Sequence, residues 1–174
     1  MELTSSELTN LGLIAERPRH GYDLELVIEQ RGIRRWAEIG FSSIYYMLTK
    51  LEGRGLTEPD DAQVSAKSRR VFRVTTAGRN AAGEGVFTFI ADQRTIAHPV
   101  LVGLANRTLI SEEDYVDALR RRLIWIETRI SAVTAAGRSQ SPLARPAREV
   151  FSYSLSLPEA EKSWLATRVQ VPNE

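Results

Sequence analysis

Bond-making chemistry needs nucleophiles, acid–base pairs or metal ligands, and this 174-residue sequence offers few of them. His20 and His98 are its two histidines, there is no cysteine, and no Asp or Glu set stands around either histidine at metal-ligand spacing. No Gly-rich phosphate loop, Gly-x-Ser-x-Gly elbow or paired histidine and carboxylate pattern stands out. The expectation is a protein that is not an enzyme and holds neither cofactor nor metal. What remains is chemistry of contact. With Ile44 at the centre of an inward face, Met47, Leu48 and Leu51 fall beside it at about 100° per residue. Ser42, Tyr46, Thr49, Lys50 and Gly53 fall opposite, with Ser43 and Tyr45 on the flanks. Hydroxyls and tyrosines of this kind reach base edges and phosphates in a major groove. From Ser65 to Arg73 there follow four basic residues, Lys67, Arg69, Arg70 and Arg73, with no acid among them. Arginines on a loop tip are suited to the DNA backbone or minor groove. The plainer readings are an ordinary amphipathic helix and a solvated charge run, and it is their arrangement in sequence that favours DNA.

The elements that must position these residues are mostly helical. Leu3 to Ala15 is apolar on one face, with Thr4 or Ser5 available as N-cap, and Pro18 breaks it. A second helix is expected from His20 to Arg31, with Gly32 as its stop, and a third from Ser42 to Arg54, ended by Gly55. Leu56 to Pro59 is short and extended. Arg70 to Thr75 alternates and is rich in β-branched and aromatic residues, which predicts a strand, and Thr75 or Thr76 would cap the next helix. Three helices and a two-stranded hairpin with a basic tip describe a winged helix-turn-helix over residues 1–80. The fold class is therefore mainly α with a small β-hairpin wing, followed by a helical domain over residues 81–174. His20, beside Gly21, is expected to cap the second helix near phosphate, and Tyr22 joins it on the DNA-facing side. Gly85 to Ile90 reads more like a strand than a helix, and the conformation of residues 85–98 stays open.

Composition narrows the class further. The chain is 43% hydrophobic and 26% charged, with a formal net charge of +1, so any polyanion surface must come from local clustering. The longest central apolar run, Val100 to Ala105, is far short of a membrane span, and the start of the chain lacks secretory-signal features. A soluble cytoplasmic protein is the expectation.

In the second half, Val116, Leu119, Leu123, Ile126, Ile130 and Val133 are spaced 3, 4, 3, 4, 3, a heptad seam on a helix expected to end at Gly137. Ser111 would cap it, with Glu112, Glu113 and Asp114 in its first turn. The seam suits either a packed pair within the chain or a dimer interface. Reading two half-sites about 34 Å apart needs two copies, which favours the dimer. Residues 138–146 read as linker, and Ala147–Leu157 and Pro158–Val169 as two further helices. Tyr115, Trp125, Phe151, Tyr153 and Trp164 are candidates for an aromatic effector pocket, with core packing as the plainer alternative.

Three stretches carry a resemblance to a known family. They are Leu11–Glu16 followed by Pro18–Leu24, then Ser43–Glu52 ending in Gly55-Leu56, and Arg70–Arg79. Together they resemble the PadR family of bacterial transcriptional regulators, and the second half is similar, more loosely, to the longer virulence-activator-like members with a helical C-terminal domain. The resemblance implies a homodimer on a palindromic operator, often a repressor released by a small molecule or partner. Carried over by position, Tyr45, Tyr46 and Lys50 fall on the recognition helix, and Lys67, Arg69 and Arg70 on the wing. It departs at Tyr46 and Thr49, where many members carry basic residues, which shifts phosphate contact toward the wing. The alternative is a dimeric interaction module of the same fold, with Asp60 and Asp61 folded over the recognition face and little DNA binding.

Overall fold

The computed structural model describes residues 2–37, 39, 43–60, 70–93 and 97–169, the side chain of Ser43 excepted. The chain divides into two compact units, Met1–Thr95 and Ile96–Glu174.

The N-terminal unit begins with helix α1 (Ser5–Glu16). Thr4 caps it in a full capping box: the Glu7 backbone donates to Thr4 Oγ1 at 3.2 Å, and the Thr4 backbone donates to Glu7 Oε2 at 2.8 Å. Pro18 ends the helical run, and Arg17 leaves it in an extended conformation. The next two residues, Arg19–His20, form a short strand β1 that the sequence pattern did not reveal. Helices α2 (Gly21–Gln30) and α3 (Ser43–Gly53) follow, with a 3-10 turn at Ile33–Arg35. Gly32 and Gly55 take left-handed conformations, φ 63° and 69°, in the chain reversals after α2 and α3.

Strands β2 (Thr57–Pro59) and β3 (Val71–Val74) pair antiparallel, Thr57 opposite Val74 and Pro59 opposite Phe72. Strand β1 adds on the other side of β3, Arg19 opposite Phe72, so the sheet order is β1-β3-β2. Pro59, with no N–H to give, stands on an outer strand, where it breaks no central ladder. Leu11, Ile14, Leu24, Ile28, Ile44, Leu48 and Leu51 are fully buried, joined by Leu56, Phe72 and Val74 from the sheet side. This core fixes α3 against α1 and α2 and leaves its other face outward.

Helix α4 (Thr76–Ile90) continues through Gly85–Ile90, the stretch whose β-branched and aromatic residues favour a strand. Thr75 starts it, accepting from the Gly78 backbone at 2.9 Å while its hydroxyl donates to the Gly55 carbonyl at 2.8 Å. The residue types mislead because no neighbouring strand pairs with this segment among the described residues, and Ala81, Ala82 and Gly85 give α4 a flat face against α1.

The C-terminal unit holds α5 (Pro99–Ala105), a 3-10 turn at Arg107–Leu109, and two long helices, α6 (Glu112–Ser139) and α7 (Arg145–Val169). Ser111 caps α6, accepting from the Asp114 backbone at 3.1 Å. Two expectations fail here. Gly137 does not end α6: it lies within the helix, which runs on to Ser139, and a Cβ there would make ordinary contact with the Phe151 ring at 3.5 Å. Pro158 does not begin a new helix. It lies inside α7, buried, at the loss of one backbone hydrogen bond. Helices α6 and α7 run antiparallel, with Leu119 near Leu165 at one end and Gly137 near Phe151 at the other. The pair is stapled by Arg122–Glu161 and by Lys162 Nζ at 3.0 Å from Glu127 Oε1.

Candidate nucleic-acid interface

Helix α3 buries Ile44, Met47, Leu48 and Leu51 and exposes Tyr45, Tyr46, Thr49, Lys50 and Gly53. Tyr45 and Tyr46 are 63% and 68% exposed, unusually free for tyrosines on a structured helix. Thr49 turns its hydroxyl back to the Tyr45 carbonyl at 3.1 Å. Tyr45 lies over the start of α2: a Cβ at Gly21 would come within 2.6 Å of the tyrosine ring, so Gly21 is what lets the two helices approach. Ser42, Lys67, Arg69 and Asp61 lie outside the described residues, as does the side chain of Ser43.

His20 is the N-cap of α2. Its Nδ1 accepts from the Asp23 backbone at 3.3 Å, which leaves Nε2 as the donor 3.3 Å from the Asp23 carboxylate. The exposed Tyr22 ring lies 6.5 Å from it. Arg70 leads into β3, with its guanidinium 5.3 Å from the Phe72 ring centroid. One open cleft of about 340 Å³ is lined by His20, Gly21, Tyr22, Tyr45, Leu48, Thr49, Arg70 and Phe72. It joins residues that the sequence assigned separately to the second helix, the third helix and the wing.

The cations are not bare. Arg70 Nη2 donates to Glu52 Oε1 at 2.5 Å, and Arg73 Nη2 stands 2.9 Å from Glu58 Oε1. Lys50 Nζ is 3.1 Å from Glu7 Oε1, and Arg54 Nη1 donates to the same oxygen at 2.6 Å. Glu7 is 1% exposed. Burial pushes its carboxyl up, but the Thr4 backbone and the Lys50 and Arg54 side chains outweigh that and hold it below the usual carboxylate range. These acidic partners were missed because residues were sorted by helix face alone. The signal available for Glu7 was its place three residues after Thr4, the capping-box spacing.

In the C-terminal unit the heptad seam is filled by the same chain. Leu119 and Ile126 are buried against Leu165, and Val116, Leu123, Ile130 and Val133 are partly buried on that side. The seam expected to join two subunits thus packs α6 on α7, the alternative that a shallow helix crossing allowed equally well. The aromatic candidates do not gather in one cavity. Tyr115 and Trp164 flank the small helical core, with Arg107 over the one ring at 4.6 Å and Arg168 over the other at 3.8 Å. Trp125 is exposed between Arg122 and Arg129, at 5.7 and 5.5 Å, and Tyr153 is exposed. Phe151 lines a separate groove with Val133, Thr134, Gly137 and Leu155.

Residues 11–84 match the Transcriptional regulator PadR-like family. Among solved structures, Bacillus subtilis PadR in complex with operator DNA superposes with a TM-score of 0.72 at 16% identity, covering 94% of this chain and 96% of that one. The same protein in complex with p-coumaric acid gives 0.75 at 15% identity, covering 95% and 96%. The Vibrio cholerae virulence activator AphA gives 0.69 at 19% identity, covering 93% and 95%. At such identities the likeness is one of fold, a winged helix followed by C-terminal helices. No curated protein matches the sequence significantly.

Proposed function

We propose, from the PadR-like transcriptional-regulator domain that residues 11–84 form, that this chain is a sequence-specific DNA-binding repressor acting in the cytoplasm as a homodimer on a palindromic operator. The observation that carries this reading is the cleft and ridge around Tyr45: an outward α3 face of two exposed tyrosines and a threonine, flanked by Arg70 and by the start of α2. Such a face enters a major groove with hydroxyls and ring edges toward the bases, while Arg70 and the other basic residues of segment 65–73 reach phosphates. The ion pairs of Arg70 and Arg73 do not oppose this. Both are largely exposed, and exchanging a surface carboxylate for a phosphate gives up only about 0.2–1 kcal/mol.

Dimerisation is supported by large apolar side chains left exposed, surface that association with a second copy would cover. In the C-terminal unit these are Leu101, Val102, Ile124, Trp125, Tyr153 and Leu157, and on α4 they are Phe87 and Ile90. The heptad seam is already occupied by α7, so the second copy meets these other faces. Likeness to a regulator solved with p-coumaric acid supports an aromatic small molecule as the signal that releases DNA.

A gel shift with the duplex upstream of its own gene tests the function. A complex surviving about a hundredfold excess of random duplex is expected, since specific sites are preferred by roughly 10³ or more. Loss of the complex at equal mass of competitor would show charge attraction alone, as in the reading of an interaction module with little DNA binding.

A further inference from the structure

Two cations at the end of α3 share a single oxygen. Glu7 Oε1 takes both the Lys50 ammonium, at 3.1 Å, and the Arg54 guanidinium, at 2.6 Å, while Oε2 is fixed by the Thr4 backbone at 2.8 Å. The arrangement is not a casual surface pair. Glu7 is 1% exposed, and its position three residues beyond the N-cap locks the carboxylate to the first turn of α1. Lys50 keeps 42% of its side chain exposed and Arg54 20%. Lys50 stands in the last turn of α3 and Arg54 just beyond its end.

The geometry points to Glu7 as a specificity-determining, positioning residue: it turns Lys50 and Arg54 inward, away from the DNA backbone, so that α3 meets DNA with its neutral tyrosine and threonine face. Phosphate contacts bind every sequence alike, whereas contacts to base edges discriminate. Withholding two cations therefore lowers affinity for random DNA more than for the operator, and the preference widens. The buried carboxylate also fixes the rotation of α3 about its axis, since both of its partners lie on one side of that helix. This inference rests on the DNA-binding reading and adds the determinant of its selectivity.

The test compares the full chain with Glu7→Gln and with the double variant Glu7→Gln, Lys50→Ala. Fluorescence anisotropy follows binding to the upstream duplex and to a random duplex of equal length, between about 50 and 200 mM salt. Glu7→Gln is expected to steepen the salt slope on random duplex by one to two, about one per freed cation, and to raise that affinity several-fold while narrowing the preference for the upstream duplex. The double variant is expected to recover about one unit of the slope. An unchanged slope in Glu7→Gln overturns the inference, because a merely structural role would weaken binding without adding phosphate contacts. Should Glu7→Gln fail to fold, the unaltered chain decides the matter through lysine acylation read by mass spectrometry. Lys50 and Lys162 have similar exposure, 42% and 46%, but Lys162 pairs with the half-exposed Glu127 and Lys50 with the buried Glu7, so a clamp by the buried carboxylate predicts several-fold slower reaction at Lys50. Equal rates contradict the clamp. If the unaltered chain binds neither duplex, the DNA reading itself falls, whatever the acylation rates show.

Discussion

Arg70 carries the most direct residue-level prediction. It sits at the rim of the cleft beside Tyr45 and His20, held by one exposed ion pair to Glu52. Arg70→Ala is expected to weaken binding to the upstream and the random duplex by a similar factor, with a salt slope shallower by about one, measured by anisotropy. A loss confined to one base-pair position would instead make Arg70 a base reader. Glu16 gives a pH dependence. The Arg31 guanidinium holds its carboxyl below the usual range, against the opposing effect of burial, with Arg19 assisting. A folded value below the unfolded one adds stability above the ordinary carboxylate pKa, and that stability is lost as pH falls through the lowered value. Thermal midpoints should drop from about pH 5 downward, and Glu16→Gln should flatten part of that fall. At this scale the outward residues of α3 were legible because helical period alone separates Tyr46 and Thr49 from Ile44 and Leu48. Their partners were not, since Glu7 lies 43 residues from Lys50 and no local pattern joins them.

Among the elements, α4 shows how context overrides local preference. Val86 to Ile90 has the β-branched and aromatic residues of a strand, but a strand needs a ladder, and the helix is favoured by its Thr75 cap and its small-residue face on α1. Two glycines of this helix make a paired prediction. A Cβ at Gly78 would fall 2.0 Å from the Leu56 carbonyl oxygen, a backbone atom that cannot step aside, so Gly78→Ala should cost about 3 kcal/mol or more. Gly83 has nothing within 4 Å, so Gly83→Ala should be neutral or stabilising by up to about 1 kcal/mol. Urea titrations of both variants check the contrast, and similar midpoints would contradict it. The same lesson applies to Gly137 and Pro158. Local rules read them as a stop and a start, whereas both lie inside continuous helices, Gly137 with no left-handed backbone and Pro158 buried within α7. Strand β1 was invisible because two residues carry no period. Only β3, found from its own alternation, could have announced that a partner was needed.

For the whole molecule, the winged helix was readable from the order of its parts, while the use of the C-terminal helices was not. A 3-4 seam specifies that helices pair, and says nothing about whether the partner belongs to the same chain. Here it does, so Leu119→Ala should destabilise the C-terminal unit by about 2–5 kcal/mol even in dilute, monomeric protein. Ile124→Glu, on the exposed face of α6, should leave the fold intact. Sedimentation of the unaltered chain at micromolar concentration is expected to give twice the 19.5 kDa chain mass, with the Ile124→Glu variant shifted toward a single chain. A monomer in both cases would remove the second copy from the account.

Hydroxyl-radical footprinting of the upstream duplex tests the central claim most directly, because it sees both the groove contact and the pairing of subunits. Two symmetric protected patches are expected, their centres one or two helical turns apart at about 10–10.5 base pairs per turn, and both lost together when Tyr45 and Tyr46 are changed to Ala. A single asymmetric patch, or uniform weak protection that follows salt alone, would contradict it.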